Sequence, residues 1–314
     1  MQTFLASFVY SFNTPMEQLS PVILFAYNRP EHTQRALEAL EKNVGAADSI
    51  LYVFADGAKH DGAKQSVQQV RDVLKRAWTF KAVHIIERDR NWGLANNVMD
   101  GVGQVMKEHG RAIVLEDDVL FAPHTLQYFN EALIRYEKEE KIMHIGGFMY
   151  ELDRSGLDET FVTRYVASQA WATWSRAWQH FEPNIDQIIA QFDDAKIAAF
   201  TFDHTMNFWR TILQQQKAQV DSWAVRWYAS VFLRGGLAIE PSQSLIENIG
   251  HDGSGVHSGI NTMFETSIRS TPITRFPLDL TENPAGYVAL RHFFKHRKGN
   301  LFQRAYRFAI NKLR

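Results

Sequence analysis

Three consecutive carboxylates, Glu116, Asp117 and Asp118, are the side chains of this sequence best suited to do chemistry. They follow the apolar run from Ala112 to Leu115, which is typical of a buried strand. Adjacent carboxylates repel one another, so a partly buried cluster needs a compensating cation. Oxygen ligands of this kind suit Mg²⁺ or Mn²⁺, which proteins often share with substrate phosphates. A polar surface turn is the alternative interpretation of the same triplet.

The elements that would position this triplet follow from the pattern between Pro21 and about Tyr150. Short β-rich runs alternate there with helical segments, which indicates a parallel sheet with crossover helices. Strands are predicted over 22–27, 50–55, 82–87, 112–115 and 142–148, and helices from Pro30 onward, over 66–78 and over 96–109. The expected fold class is therefore α/β, with a mostly parallel sheet flanked by helices.

Polar side chains follow each of the first four predicted strands. Asn28 and Arg29 follow the first strand, Asp56 the second, residues 88–91 the third and the acidic triplet the fourth. Open α/β sheets bind ligands at the carboxyl ends of their strands. Arg29 can pair with phosphate, Asp56 can accept a hydrogen bond from a nucleobase, and the triplet can hold a metal that bridges a diphosphate. Together these residues predict a nucleotide-diphosphate site, although an Asp-Gly pair also makes ordinary turns.

Four blocks of the sequence resemble the GT-A-fold glycosyltransferases. More narrowly, they resemble the N-acetylglucosaminyltransferase that begins complex N-glycans and bacterial family-2-like sugar transferases. The blocks are Tyr27-Asn28-Arg29, Ala55-Asp56-Gly57, Asn91 to Ala95, and Leu115 to Val119 with Ala122-Pro123 and Tyr128-Phe129 after it. The last block is the most specific, because it closely matches the family's version of the Asp-x-Asp motif. The likeness is good from about Val22 to Phe129 and patchier to about His257.

The resemblance implies a GT-A fold, a nucleotide-sugar donor and a Mn²⁺ or Mg²⁺ ion. It implies that Asp118 contacts the metal and that Glu116 and Asp117 contact the nucleotide sugar. It also implies that Arg29 and Asp56 help to hold the nucleotide. These roles apply only to positions of this sequence that match the family's motifs.

Further substrate-binding residues are expected around this site. Asn28 belongs to the predicted first donor-site segment. Trp171 lies in a stretch with three Trp residues and is expected to contact the sugar, with core filling as the alternative. The Gly-rich segment 247–259 is long enough to act as a lid that excludes water, and it places His257 near the diphosphate by the same resemblance.

Inverting sugar transfer also needs a carboxylate that removes the proton of the acceptor hydroxyl. The run Asp221-Ser222-Trp223 resembles the place where the family carries this base, an acid shortly before a Trp. An Asp ahead of a helical run can instead cap the helix, and the hydroxyl of Ser222 competes for that position. We interpret Asp221 as the base, with Asp203 and Glu247 as alternatives.

The composition limits the class of protein. The 314 residues are 45% hydrophobic and 22% charged with a net charge of −1, which is typical of a soluble globular protein. Cysteine is absent, which excludes disulfides and thiolate metal sites and is compatible with the cytoplasm. The apolar stretch 4–12 has no basic residue before Arg29, so we interpret it as a packed extension and not as a signal or anchor. No window reaches the ~20 apolar residues that span a bilayer.

The C-terminal end has a different charge from the rest of the chain. From Arg291 to Arg314 there are eight Lys or Arg residues and no acid. Apolar residues recur at helical spacing in this end, which predicts an amphipathic helix lying on anionic lipid. A helix packed on its own domain is the main alternative. A nucleic-acid patch is disfavoured, because the apolar side is large and the rest of the chain is too acidic.

These observations predict one main domain. The expected divisions are an N-terminal extension over 1–20, a GT-A domain over 21–275 with a nucleotide-binding half (21–150) and an acceptor half (151–275), and a basic amphipathic tail over 276–314.

The function predicted from the sequence is metal-dependent, inverting transfer of a sugar from a nucleotide diphosphate sugar, with a UDP-sugar favoured. The acceptor would be a hydroxyl of a glycan or a lipid-linked glycan in cell-surface polysaccharide synthesis, at the inner face of the plasma membrane. One alternative is a nucleotidyltransferase acting on sugar phosphates, which would need a Gly-rich basic loop where Asn28-Arg29-Pro30 has no glycine. Another is a non-catalytic sugar- or lipid-binding module, against which the intact triplet and Asp56 argue.

Overall fold

A computed structural model of the protein describes residues 19–250 and 265–297. The strands in this part of the chain are β1 (Val22–Ala26), β2 (Ile50–Ala55), β3 (Ala82–Glu87), β4 (Arg111–Glu116), β5 (Val119–Phe121), β6 (Ile142–Gly146), β7 (Thr160–Thr163), β8 (Trp171–Trp174), β9 (Leu237–Pro241) and β10 (Ile246–Asn248). Eight of them form a mixed, mostly parallel sheet in the order β3-β2-β1-β4-β8-β6-β9-β7. The other two, β5 and β10, form a small antiparallel pair.

Helices cover both faces of the large sheet. They are α1 (Pro30–Leu40), α2 (Lys64–Leu74), α3 (Leu94–His109), α4 (Thr125–Arg135), α5 (Ser175–Trp178), α6 (Ile185–Ile189), α7 (Asp194–Phe200), α8 (Phe208–Gln216), α9 (Trp223–Leu233) and α10 (Pro284–His296). The predicted α/β class is confirmed, with a sheet of the GT-A type within a single domain.

The first four predicted strands are confirmed to within one residue at each end. The predicted helix over 66–78 ends four residues early, at Leu74. Trp78 explains this end, because its indole N–H donates to the carbonyl of Val73 at 3.1 Å and caps the last turn. The strand predicted over 142–148 ends at Gly146, where the chain leaves the sheet.

The central strand β1 is buried along its whole length, as expected for a parallel strand covered on both faces. Its side chains alternate between two hydrophobic cores. Leu24 packs in one core with Leu37 of α1. Phe25 packs in the other with Val98 of α3. Helices on opposite faces of the sheet therefore hold β1 in position.

Within the second core, α3 lies unusually close to the sheet at Gly101. The rings of Phe25 and Phe54 stack beneath it with centroids 5.6 Å apart. A Cβ added at Gly101 would lie 2.9 Å from the ring of Phe25 and 3.0 Å from that of Phe54. Glycine therefore allows the close approach of α3 to β1 and β2.

The described part of the predicted C-terminal tail packs on the domain. Leu290 and Phe294 of α10 are buried. Arg164 pairs with Glu282 just before this helix. Residues 276–297 thus extend the folded body, whereas the predicted amphipathic segment beyond them lies outside the described residues. In the part of the chain that the structure describes, no helix is long and apolar enough to cross a membrane.

Replacement of Gly101 by Ala is expected to lower the free energy of unfolding by about 1–3 kcal/mol, because the added methyl group overpacks the core. Gly103→Ala in the same helix is the matched control, since no described atom lies within 4 Å of its added Cβ. That control should gain about 0.5–1 kcal/mol from helix propensity. Denaturant unfolding measures both changes, and equal effects would contradict the close packing of α3.

Candidate active site

The parallel pairing of the strands brings the predicted site residues to one edge of the sheet. Strand β1 pairs in parallel with β2 on one side and with β4 on the other. The segments that follow these three strands carry Arg29, Asp56 and the acidic triplet. Asn28 lies, partly buried, in the turn between β1 and α1. The expected convergence of these strand ends is therefore present.

Asp117 is turned into the fold. Its carboxylate accepts hydrogen bonds from the hydroxyl of Thr33 at 2.9 Å and from the backbone N–H of Tyr27 at 3.4 Å. Its side chain is only 9% exposed. Asp117 thus ties the end of β4 to the turn between β1 and α1. Its predicted contact with a nucleotide sugar would have to share oxygens that are already bonded within the protein.

Asp118 forms an ion pair with Arg29. The Nη2 atom of Arg29 lies 2.9 Å from Oδ2 of Asp118 and 3.6 Å from Oδ1 of Asp117. Its Nη1 atom is buried and has no hydrogen-bond partner among the described residues. Burial opposes the charge of Arg29, but Asp117 and Asp118 outweigh it and raise the pKa of the guanidinium. Arg29 is therefore the positive charge that compensates the two aspartates.

Glu116 differs from its two neighbours in protonation. Burial raises its pKa to about 8, and the charges of Asp118 and Asp117 add to this effect. A hydrogen bond from the side chain of Trp223 acts in the opposite direction. Burial also raises the pKa of Asp117, to about 6. Burial therefore favours the protonated forms of Glu116 and Asp117, and it opposes full negative charge on the triplet.

The contact of Trp223 with Glu116 brings the start of α9 to the triplet. Ser222 is the N-cap of α9, because its hydroxyl accepts a hydrogen bond from the N–H of Val225 at 3.3 Å. Asp221 precedes the cap, and its side chain is 61% exposed. Of the two competing caps, the structure therefore uses Ser222 and leaves the carboxylate of Asp221 accessible.

Arg226 holds Asp221 in place. Its Nη2 atom donates to Oδ1 of Asp221 at 2.9 Å, and its Nε atom donates to the carbonyl of Ser222 at 3.2 Å. A third bond, at 3.2 Å, reaches the carbonyl of Pro183. Arg226 itself is buried. A fixed guanidinium on one side and solvent on the other thus define the orientation of Asp221.

The two alternative bases have different surroundings. The carboxylate of Asp203 accepts a hydrogen bond from the hydroxyl of Tyr287 at 3.0 Å and pairs with Arg291 at 2.7 Å. Both partners belong to α10, so Asp203 joins this helix to the domain. Glu247 is exposed on β10, where its backbone pairs with Leu120 of β5.

Asp56 is buried at the end of β2 and bonded on all sides. Its two oxygens accept hydrogen bonds from the N–H of Gly57 at 2.9 Å, of Trp92 at 2.8 Å and of Gly93 at 3.0 Å, and from Nδ2 of Asn91 at 3.0 Å. A carboxylate has about four acceptor positions, so these bonds use them all. Asp56 thus anchors the turn before α3, and a nucleobase would have to replace one of these partners.

The turn before α3 is also held by Arg88, which the sequence did not single out. Its guanidinium lies 4.0 Å from the centre of the Trp92 ring. Its Nε atom donates to Asn97 at 2.9 Å, and its Nη2 atom pairs with Asp100. The position of Arg88 directly after β3 was the available signal, because strand ends meet at this edge.

Trp171 is part of the core, which favours the core-filling alternative over the predicted sugar contact. The residue is 1% exposed. Its ring stacks on His144 at 5.4 Å and on Trp223 at 5.3 Å, between ring centres. Trp178 and Trp227 complete the cluster. The core-filling alternative therefore describes this side chain.

The segment after β10 returns to Asp118. The N–H of Ile249 donates to the backbone carbonyl of Asp118 at 2.8 Å. A ring nitrogen of His32 on α1 lies 3.2 Å from the carbonyl oxygen of Ile249. A Cβ added at Gly250 would lie 2.2 Å from Oδ2 of Asp118, so a larger residue here would have to displace that side chain. His257 and most of the Gly-rich segment lie in 251–264, outside the described residues.

Thr33 and Trp223 are contacts of the triplet that the sequence analysis missed. Thr33 lies four residues after Arg29, and its N–H donates to the carbonyl of Arg29 at 2.9 Å. Its hydroxyl lies 2.9 Å from both this carbonyl and the carboxylate of Asp117, so the two acceptors share its one proton. This one-turn spacing was the signal for Thr33. No signal in the sequence indicated the contact of Trp223, because this contact with Glu116 joins parts of the chain that are far apart.

A metal site built only from protein ligands does not fit the arrangement. Among residues 19–250 and 265–297, no group of three His, Cys, Asp or Glu side chains could hold an ion. The unpartnered, buried Nη1 of Arg29 fits a different arrangement, in which a diphosphate accepts that N–H and shares a cation with Asp118. Mg²⁺ and related ions commonly use one or two carboxylates, substrate phosphates and water in this way.

Open α/β sheets bind ligands at the carboxyl ends of their strands, and the charged groups of this chain follow β1 and β4 at that edge. The model of the family "Glycosyl transferase family 2" matches residues 22–216, more than half of the chain. The chain therefore belongs to glycosyl transferase family 2. This membership favours the predicted glycosyltransferase over the nucleotidyltransferase alternative.

A solved structure with similarity to this chain is that of TarS from S. aureus. The match has 14% sequence identity and a TM-score of 0.35, and covers 52% of this chain and 30% of TarS. The chain thus matches less than a third of the TarS chain. The search of curated proteins gave no significant match.

Proposed function

We propose that the protein transfers a sugar, with inversion, from a nucleotide diphosphate sugar to a hydroxyl of a glycan or lipid-linked acceptor in cell-surface polysaccharide synthesis. A UDP-sugar donor and a Mn²⁺ or Mg²⁺ ion are part of the proposal. The observation that carries it is the Arg29 and Asp118 pair, in which a buried N–H of Arg29 lacks a partner beside a carboxylate. An arginine fork suits phosphate, and a carboxylate suits the cation that accompanies it.

In this proposal, Arg29 binds the diphosphate and Asp118 holds the metal. When bound, the ion would stabilise the negative charge of the leaving diphosphate. Glu116, hydrogen-bonded to Trp223, lies at the side of the site where α9 begins and is assigned to the donor sugar. Asp56 acts through the turn before α3, which it anchors near the nucleotide.

Asp221 is the proposed base. Its carboxylate would take the proton of the acceptor hydroxyl as that oxygen attacks the anomeric carbon and the bond to the diphosphate breaks. Two observations support this role: its exposure, which lets an acceptor approach, and its fixed pairing with Arg226. The resemblance of the run before Trp223 to the N-acetylglucosaminyltransferase also supports this assignment.

Donor binding is the first test. A nucleotide sugar, a UDP-sugar foremost, should raise the thermal unfolding temperature of the wild type when Mn²⁺ is present, because it binds only the folded state. In Asp118→Asn, donor affinity should fall by about 10- to 100-fold or more, because the metal loses its carboxylate. Asp72→Asn, at an exposed acid on α2, is the control and should bind like the wild type. Unchanged binding in Asp118→Asn would remove the metal assignment.

The base is tested separately. Asp221→Asn should retain donor affinity but lose about 10²- to 10⁴-fold in kcat, as expected when a general base is removed. Asp203→Asn and Glu247→Gln are the matched comparisons, because each removes the carboxylate of an alternative base. Steady-state kinetics of the three variants decide the assignment. Normal turnover in Asp221→Asn together with loss in one of the others would move the base to that residue.

We further propose that the basic C-terminal segment binds anionic lipid on the inner face of the plasma membrane, where lipid-linked acceptors would be available. The charge of this segment from Arg291 onward supports the proposal. Each basic residue near such a surface contributes about 1 kcal/mol. In the described part, Arg291, His292 and Lys295 lie on the exposed side of α10.

Vesicle co-sedimentation tests this binding. The full-length protein should bind vesicles that contain phosphatidylserine and should not bind neutral phosphatidylcholine vesicles. The double substitution Arg304→Glu and Arg307→Glu should reduce binding by at least about tenfold, since it reverses two favourable charges. Equal sedimentation with neutral and anionic vesicles would contradict an electrostatic attachment.

A further inference from the structure

We propose that Arg29 serves as a resident cation, which occupies Asp118 in the donor-free protein and moves to the diphosphate when the metal and donor bind. This exchange would couple metal binding to nucleotide binding. The inference rests on the proposed function and adds to it a reason why the two ligands bind together.

The first observation is that Arg29 already uses the carboxylate assigned to the metal. Its Nη2 atom lies 2.9 Å from Oδ2 of Asp118, within a pair whose side chains are only 20% and 15% exposed. Partial burial strengthens the attraction within this pair and also the repulsion between two cations placed close together. A divalent ion and the guanidinium therefore compete for Asp118.

The second observation is that Asp118 has little freedom to serve both cations by moving. Its backbone carbonyl accepts the N–H of Ile249 at 2.8 Å. Gly250 lies against its side chain so closely that an added Cβ would be 2.2 Å from Oδ2. Since this carboxylate is confined, the exchange requires the arginine to move.

The third observation concerns where Arg29 can go. Its backbone is fixed, because its carbonyl accepts the N–H of Thr33 at 2.9 Å. Its Nη1 atom is buried without a partner, which is an unfavourable state for a polar group. A diphosphate would accept two N–H bonds from the guanidinium fork and satisfy this atom. Only the side chain has to rotate for this change.

These contacts predict the sign of the coupling. A metal ion that arrives alone displaces Arg29 from Asp118 and offers the guanidinium no new partner. A metal ion that arrives with a diphosphate provides such a partner. Metal and nucleotide should therefore strengthen one another's binding, and by linkage the factor is the same in both directions.

Arg29→Met removes the competing cation and keeps a side chain of similar length. Mn²⁺ binding without nucleotide, followed by electron paramagnetic resonance, should be about tenfold tighter than in the wild type. UDP binding with Mn²⁺, followed by calorimetry, should be weaker, and the coupling factor should approach one. Arg35→Met, an exposed position on the same helix, is the matched control and should leave all three quantities unchanged.

Arg29→Lys gives a second test if the Met variant does not fold. Lysine keeps the charge but lacks the fork, so UDP binding with Mn²⁺ should weaken while Mn²⁺ alone binds at least as tightly as in the wild type. Weaker or unchanged Mn²⁺ binding in Arg29→Met, or weaker binding in Arg29→Lys, overturns the exchange. Failure of the wild type to bind UDP with Mn²⁺ overturns the proposed function itself.

Discussion

Compensation of charge at the end of β4 is the constraint on which the rest of the site depends. Three adjacent carboxylates at a partly buried strand end are unstable unless positive charge or protons offset them. Arg29 supplies the positive charge through its contacts with Asp118 and Asp117. At Glu116, burial instead favours the protonated form and raises the pKa to about 8. The three neighbouring carboxyl groups are therefore stabilised in different ways, two by a positive charge and one by protonation.

The same constraint divides the acids into those that are bonded within the protein and those that remain accessible. Asp117 is turned inward, where Thr33 and Tyr27 bind its carboxylate. The acceptor positions of Asp56 are likewise occupied by donors of its own loop and of the turn before α3. Asp118 and Asp221 remain as the carboxylates that face a cation or solvent. Asp117 and Asp56 therefore hold the strand ends and turns together, and a ligand would have to share their oxygens with these donors.

The sequence allowed the prediction of the sheet and of its polar edge for a specific reason. Parallel strands that are covered on both faces are continuous apolar runs, so their ends are visible, and connectivity places those ends together. The local sequence does not predict in which direction a side chain at such an end points. Asp56 is buried because donors 35 to 37 residues later reach it. Trp171 is covered by Trp223, which comes from another part of the chain.

The choice between two caps shows the same limit on a smaller scale. Asp221 and Ser222 both suit a helix N-terminus, and their local propensities do not separate them. In the structure, the carboxylate of Asp221 accepts a hydrogen bond from Arg226, which lies one turn into α9. Ser222 then caps the helix.

Because Arg29 contacts two acids, the residues of the triplet act as a unit. Loss of Asp118 would leave the guanidinium with Asp117 at 3.6 Å and would change the surroundings of both. Effects of substitutions at residues in contact are not additive, and the difference measures their coupling. The function of any one acid in this site is therefore defined only together with Arg29, whose charge lowers the pKa of both Glu116 and Asp117 against the effect of burial.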